Sequence, residues 1–245
     1  MALFQSSNPV LGDSILDKDY ADVGAARMTV QGTINKTLMF LFTTIIAGSI
    51  GWSLAAKGAI STPVLIIGAL ASMLLGFMTY RKPEIAKYTG FAYSGLFGIV
   101  VGAVSLMYEF AFPGIVIQAL ILTAGTASAM LFLYTSGIIK VTEKFRSIII
   151  MATAGIMMFY VVAMLLSLMG IQIPLLHSNG PMGIIFSLAV TVLAALNLLL
   201  DFDFIEKGSA QGLPKHMEWY GAFGLIVTLV WLYLELLRLL SKLKD

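Results

Sequence analysis

The chain contains no cysteine. A disulfide framework, a thiolate metal site and a cysteine nucleophile are therefore excluded. Charge is also scarce: Asp, Glu, Lys and Arg make up 11% of the 245 residues, against 59% hydrophobic residues. A soluble domain of this length can bury a sizeable core, but it needs a polar surface that this composition does not supply. A lipid-facing surface accounts for the missing charge. The net charge of +2 is small and dispersed, which argues against nucleic acid as a partner. No His-Glu-x-x-His, Gly-x-Ser-x-Gly or Walker-type phosphate loop is present, so nothing in the sequence points to an enzyme. Only His177 and His216 are available, and the span plan below puts one on each side of the membrane, so no histidine pair can bind a metal. A seven-helix retinal protein needs a Schiff-base lysine in its last helix, and residues 219–237 contain none.

What the chain does have is long apolar runs. Seven stretches, near 37–57, 61–80, 88–109, 113–136, 147–170, 182–202 and 219–240, meet the length of about 20 mostly apolar residues needed to span a bilayer. The breaks carry turn signals: Lys57-Gly58, Arg81-Lys82-Pro83, Phe112-Pro113-Gly114, Lys140 to Arg146, Ile173-Pro174 with Asn179-Gly180-Pro181, and Gly208 to Lys215. Each connection is short, so consecutive helices should be antiparallel neighbours. The expected fold is an all-α integral membrane protein, a seven-transmembrane-helix bundle over residues 36–240. It follows a cytoplasmic segment at 1–35 and precedes a short basic tail at 241–245. The N-terminal segment carries Asp13, Asp17, Asp19 and Asp22 and lacks a basic n-region, so targeting is expected from the first membrane helix. Ala25, Met28, Val30 and Ile34 suggest a weak amphipathic turn on the membrane surface.

Basic residues orient the bundle. The N-terminal segment holds Lys18, Arg27 and Lys36; the second loop Arg81, Lys82 and Lys87; the fourth Lys140, Lys144 and Arg146; the sixth Lys207 and Lys215. The third and fifth loops hold none, and the first holds only Lys57. Positive charge gathers on the cytoplasmic side, so the N-terminus is expected inside the plasma (inner) membrane and the C-terminus outside. Arg238, Lys242 and Lys244 in the tail oppose this, and the loops outvote them.

Small residues recur at Gly90, Ser94, Gly98 and Gly102, one face of the third helix, with a similar group at Gly125, Ser128 and Ala129 in the fourth. Such faces serve close helix packing within the chain or in a dimer, and the oligomeric state stays open.

The acids carry the functional reading. An acidic side chain at membrane depth is costly unless it is neutralised, paired or facing water. Asp201 and Asp203 end the sixth apolar run, roughly 200° apart around a helix, so only one is expected to face the interior. Asp201 is turned inward, with Asn197 one turn earlier on the same face, and Asp203 is left to the headgroups or the loop. The alternative is that the helix ends there and both are solvated. Glu218 opens the seventh helix at a similar depth and is a candidate partner for either aspartate, or else a dipole-favoured helix-start carboxylate. Glu235 and Arg238, three apart, are expected to form a local ion pair. Glu109 closes the third helix and is expected to be solvated or to share an acidic mouth with Glu235. Two carboxylates held close in a partly dry site cannot both ionise easily. Such a pair is a route to a pH-gated cation pathway.

The seven-span plan, the fourth-helix run Gly114-Ile115-Val116-Ile117-Gln118-Ala119-Leu120-Ile121-Leu122-Thr123-Ala124-Gly125, the Leu200-Asp201 end of the sixth helix and the closing Leu236-Leu237-Arg238-Leu239-Leu240 resemble the Bax inhibitor-1 family. The bacterial, YccA-like branch looks closest, and the resemblance covers about residues 36–240. It implies a calcium leak controlled by paired aspartates on the last two helices, with Asp201 as the first of them and as the ligand if calcium binds. It also implies a basic partner on the second helix, for which Arg81 is the match. The second aspartate should fall near Thr228, where this chain has no acid. Either Glu218 and Asp203 supply that carboxylate or the pair is absent. No cofactor is implied; calcium or another cation is the expected transported ion. A second hypothesis, suggested by bacterial relatives, is a non-transporting membrane protein that binds and restrains another membrane protein, such as a membrane protease.

Overall fold

In the computed structural model of the chain, residues 27–170, 173, 178 and 180–244 are described. The expectations that fall on Asp13, Asp17, Lys18, Asp19, Asp22, Ala25, Pro174, His177 and Asn179 lie outside those residues. Seven long helices follow one another: α1 (Val30–Ala56), α2 (Thr62–Arg81), α3 (Ala86–Ala111), α4 (Ile115–Thr135), α5 (Glu143–Leu168), α6 (Pro181–Ala210) and α7 (Met217–Lys244). A 3-10 turn at Pro83–Ile85 joins α2 to α3. All seven are long and apolar enough to cross a membrane, and many large side chains point outward, among them Phe42, Ile67, Phe110 and Phe132. The chain is an all-α seven-helix membrane bundle.

Local chemistry sets the ends. Thr29 caps α1 by accepting from Gly32 N at 3.0 Å, and Thr142 caps α5 by accepting from Phe145 N at 3.2 Å. Pro181 opens α6, where a missing N–H costs nothing. Glu109 is half-buried and bonded to the start of the next helix. It accepts from Gly114 N at 2.6 Å and Val116 N at 3.1 Å, satisfying the free N–H groups at the start of α4. Gly114 stands there at φ +80°, a backbone conformation that favours glycine.

The helices at the centre are α3 and α7, with α1 packed closely along α3. The Gly90-Gly98-Gly102 stripe makes that approach possible. A Cβ at Gly98 would lie 2.8 Å from both Thr44 O and Ala47 Cβ, and one at Gly102 would run into the Gly48 backbone. The third-helix face is therefore spent within the chain. The fourth-helix group is not: Gly125 has nothing within 4 Å of an added Cβ, and Ser128 and Ala129 are exposed.

Three boundaries differ from the sequence expectation. First, α6 runs two turns beyond Asp203, to Ala210, so neither aspartate sits at a helix end. Second, α7 continues through Lys244, so residues 241–244 belong to the last helix and are no separate tail. The buried Lys242 donates to Gly183 O at 3.1 Å. Third, α1 starts at Val30, which moves residues 30–35 out of the N-terminal segment. Met28 does not rest on the membrane surface; it is 2% exposed, inserted at the α6–α7 connection.

Candidate functional site

α6 packs against α7 and also contacts α4 and α5. With neighbours on several sides, opposite faces of α6 are both interior. This is why two residues about 200° apart are both drawn inward, against the expectation that only one would be.

Asp201 faces α7. It lines a cavity of about 440 Å³ whose wall includes Phe204 of α6, Tyr220, Gly224 and Thr228 of α7, Tyr80 of α2 and Arg146 of α5. The approach is close at Gly224, where an added Cβ would stand 3.3 Å from Asp201 Oδ1. Asp201 Oδ2 is shielded from solvent and has no hydrogen-bond partner among the described residues. Unpaired buried oxygens are rare in folded proteins because each one forfeits its hydration. The hydroxyl of Thr228, the position where the family resemblance puts a second aspartate, neighbours the Asp201 carboxyl. That hydroxyl donates to Gly224 O at 3.2 Å.

Asp203 faces the other way and is buried, not directed to headgroups. Arg146 Nη2 of α5 lies 2.6 Å from its Oδ2, and Lys207 Nζ, one turn further along α6, lies 2.9 Å from the same oxygen. Arg146 thus lines the Asp201 cavity while it is bonded to Asp203. Arg81 does not fill this role: it is exposed and lies over the Phe77 ring.

Asn197 does not line the Asp201 cavity. It turns to α5, donating to Thr153 Oγ1 at 2.8 Å and to its own helix at Leu193 O at 2.9 Å.

Glu218 meets neither aspartate. Fully buried, it accepts from Thr29 N at 2.9 Å, Thr29 Oγ1 at 2.8 Å and Lys215 Nζ at 2.7 Å, and it pairs with Lys36. Four donors around one carboxylate offset the cost of taking its charge out of water. At the far end of α7, Glu235 and Arg238 form the expected pair at 3.0 Å. Tyr160 of α5 joins them, donating to Glu235 Oε1 at 2.9 Å and accepting from Arg238 Nη1 at 2.6 Å, and Trp231 donates to Glu235 at 3.2 Å.

The five carboxylates singled out from sequence therefore separate into five places: Glu218 and Glu235 at opposite ends of α7, Asp201 and Asp203 on different faces of α6, and Glu109 at the α3–α4 connection. Two of the missed partners carry a short-range signal, Lys207 four residues after Asp203 and Lys215 three before Glu218. Arg146 and Lys36 carry none, because each comes from a helix distant in sequence.

No group of three or more His, Cys, Asp or Glu able to hold a metal occurs among the described residues. No curated protein matches the chain. The family described as Bax inhibitor 1 like matches residues 8–245, and this seven-helix protein, with Asp201 lining a cavity beside the last helix, belongs to that family.

Proposed function

We propose that the protein is a bacterial inner-membrane protein of the YccA-like branch and a cation leak pathway, calcium being the favoured ion, in which protonation of Asp201 controls passage, as the resemblance to the Bax inhibitor-1 family implies. The observation that carries this reading is the Asp201 carboxyl: a half-buried acid between two membrane helices, one oxygen shielded and unpartnered among the described residues, lining a cavity. An acid so placed is retained for function, since an apolar residue would stabilise the same position.

Control here falls to a single carboxyl rather than an aspartate pair. Asp203 and Glu218 are occupied by their own cations, and the seventh helix offers a hydroxyl, Thr228, at the matching level. Calcium takes 6–8 oxygen ligands. The cavity supplies Asp201 with the hydroxyls of Thr228, Tyr80 and Tyr220, so an ion passing there keeps much of its water. Weak, partly hydrated binding suits a leak, which must release its ion, better than storage. We read the chain as a transport protein and not an enzyme.

The orientation that goes with this reading has the N-terminus in the cytoplasm and the C-terminus outside. Two of the three tail cations that argued against it are consumed internally, Arg238 by Glu235 and Lys242 by Gly183 O. They therefore no longer count as loop charges.

The test is calcium flux into vesicles holding the purified protein, over mildly acidic to mildly alkaline pH, comparing wild type with Asp201→Asn. The leak is expected to vary with pH in wild type and to lose that dependence in the variant. If wild type leaks no more than empty vesicles at any pH, the transport reading fails and the restraint of a membrane partner, such as a protease, takes its place.

A further inference from the structure

Residues 27–36 cross the end of the bundle at which α6 turns into α7. Arg27 forms an isolated antiparallel bridge with Pro214, and Met28 N donates to Leu213 O at 2.7 Å. The Met28 side chain fills the notch left by two glycines. A Cβ at Gly208 would lie 2.9 Å from its Sδ, and one at Gly221 would lie 3.5 Å from its Cε and 3.3 Å from Thr33 Cγ2. One residue on, Thr29 gives Glu218 both its N–H and its hydroxyl. Gly32 lies so close to the Glu218 carboxylate that no side chain fits between them. Lys36 completes the set by pairing with Glu218 while its Nζ stands 4.9 Å from the centre of the Trp219 ring.

These contacts reach the Asp201 cavity through α7. Glu218 and Gly221 are three apart, on adjoining parts of one face, and Gly221, Gly224 and Thr228 continue as the wall opposite Asp201. Gly221 is therefore touched by Met28 and Thr33 and is also part of the cavity lining. We propose that residues 27–36 form a strap, latched on Glu218, that fixes the first turns of α7 and so sets the width of the Asp201 cavity. A pull on the N-terminal segment is then transmitted to the cavity wall. The strap rests on these hydrogen bonds, the Lys36–Glu218 pair and the Met28 packing, and holds whether or not the cavity conducts ions.

The chain's lack of cysteine makes the test free of background. Thr228→Cys places the only thiol in the cavity wall, where a small charged methanethiosulfonate reports access from water. Two changes unlatch the strap by different means: Glu218→Gln removes the charge, and Gly32→Ala puts a methyl group where the carboxylate sits. Combined with Thr228→Cys, each is expected to change the labelling rate of the introduced thiol about tenfold or more, as a local opening does. Gly125→Ala, where an added Cβ meets nothing, is expected to leave it unchanged. An unchanged labelling rate in either folded unlatched variant overturns the proposal. Should neither variant fold, the Thr228→Cys protein alone decides. Amide exchange at Met28 and Thr29 and labelling of the thiol at position 228 are expected to respond to denaturant with one common opening free energy. Two distinct openings would overturn the strap.

Discussion

At the level of single residues, burial decides which charges carry consequence. Glu235 is almost wholly buried and Arg238 about one-third exposed, with Tyr160 bridging from α5. Removing one partner of a buried pair leaves an uncompensated charge. Arg238→Met is therefore expected to destabilise the fold by about 3 kcal/mol, the lower end for buried pairs because Arg238 keeps some contact with water. Thermal unfolding in detergent measures it; a loss below about 1 kcal/mol, the scale of surface pairs, would mean that Tyr160 and Trp231 suffice for Glu235. Asp203 contrasts with this, since loss of Arg146 still leaves it Lys207.

At the level of elements, the α1–α3 contact is set by what the side chains lack. Gly98 and Gly102 bring the two backbones together, and Gly48 meets them from α1. Gly102→Val is expected to destabilise by about 3 kcal/mol or more, the upper range for overpacking, because backbone and not a flexible side chain stands in the way. Gly125→Val on the open face of α4 is the matched control and should change stability by under about 1 kcal/mol. Equal melting of the two variants would show that α1 and α3 slide apart at little cost. The α5 helix is placed differently, packing on α6 and fastened by polar contacts at three levels: Arg146 to Asp203, Thr153 to Asn197, and Tyr160 to the Glu235–Arg238 pair.

For the whole molecule, orientation in the membrane decides which compartment the strap meets. Introduced singly into the cysteine-free chain, Ser136→Cys and Gln211→Cys sit in connections at one end of the bundle, and Ser61→Cys sits at the other. In cells, an impermeant thiol reagent applied from outside is expected to label the Ser61→Cys variant and to spare the Ser136→Cys and Gln211→Cys variants. The reverse pattern would invert the proposed topology and place the strap outside the cell.

Sequence by itself determined the class, the number of spans and the membrane as surroundings, because apolar length is a one-dimensional property that each helix satisfies alone. It also determined one local pair, Glu235 with Arg238, since three residues along a helix is contact distance. The level of Thr228 came from the family resemblance, which put a second aspartate there, and Thr228 does line the cavity with Asp201. Which carboxylates meet was not legible. That depended on α6 having neighbours on more than one side, which makes interior faces of both Asp201 and Asp203. The partners that matter most, Arg146 for Asp203 and Lys36 with Thr29 for Glu218, come from helices far away in sequence. Their choice follows from the rotation of each helix about its axis, which composition and periodicity leave free and only packing against several neighbours fixes.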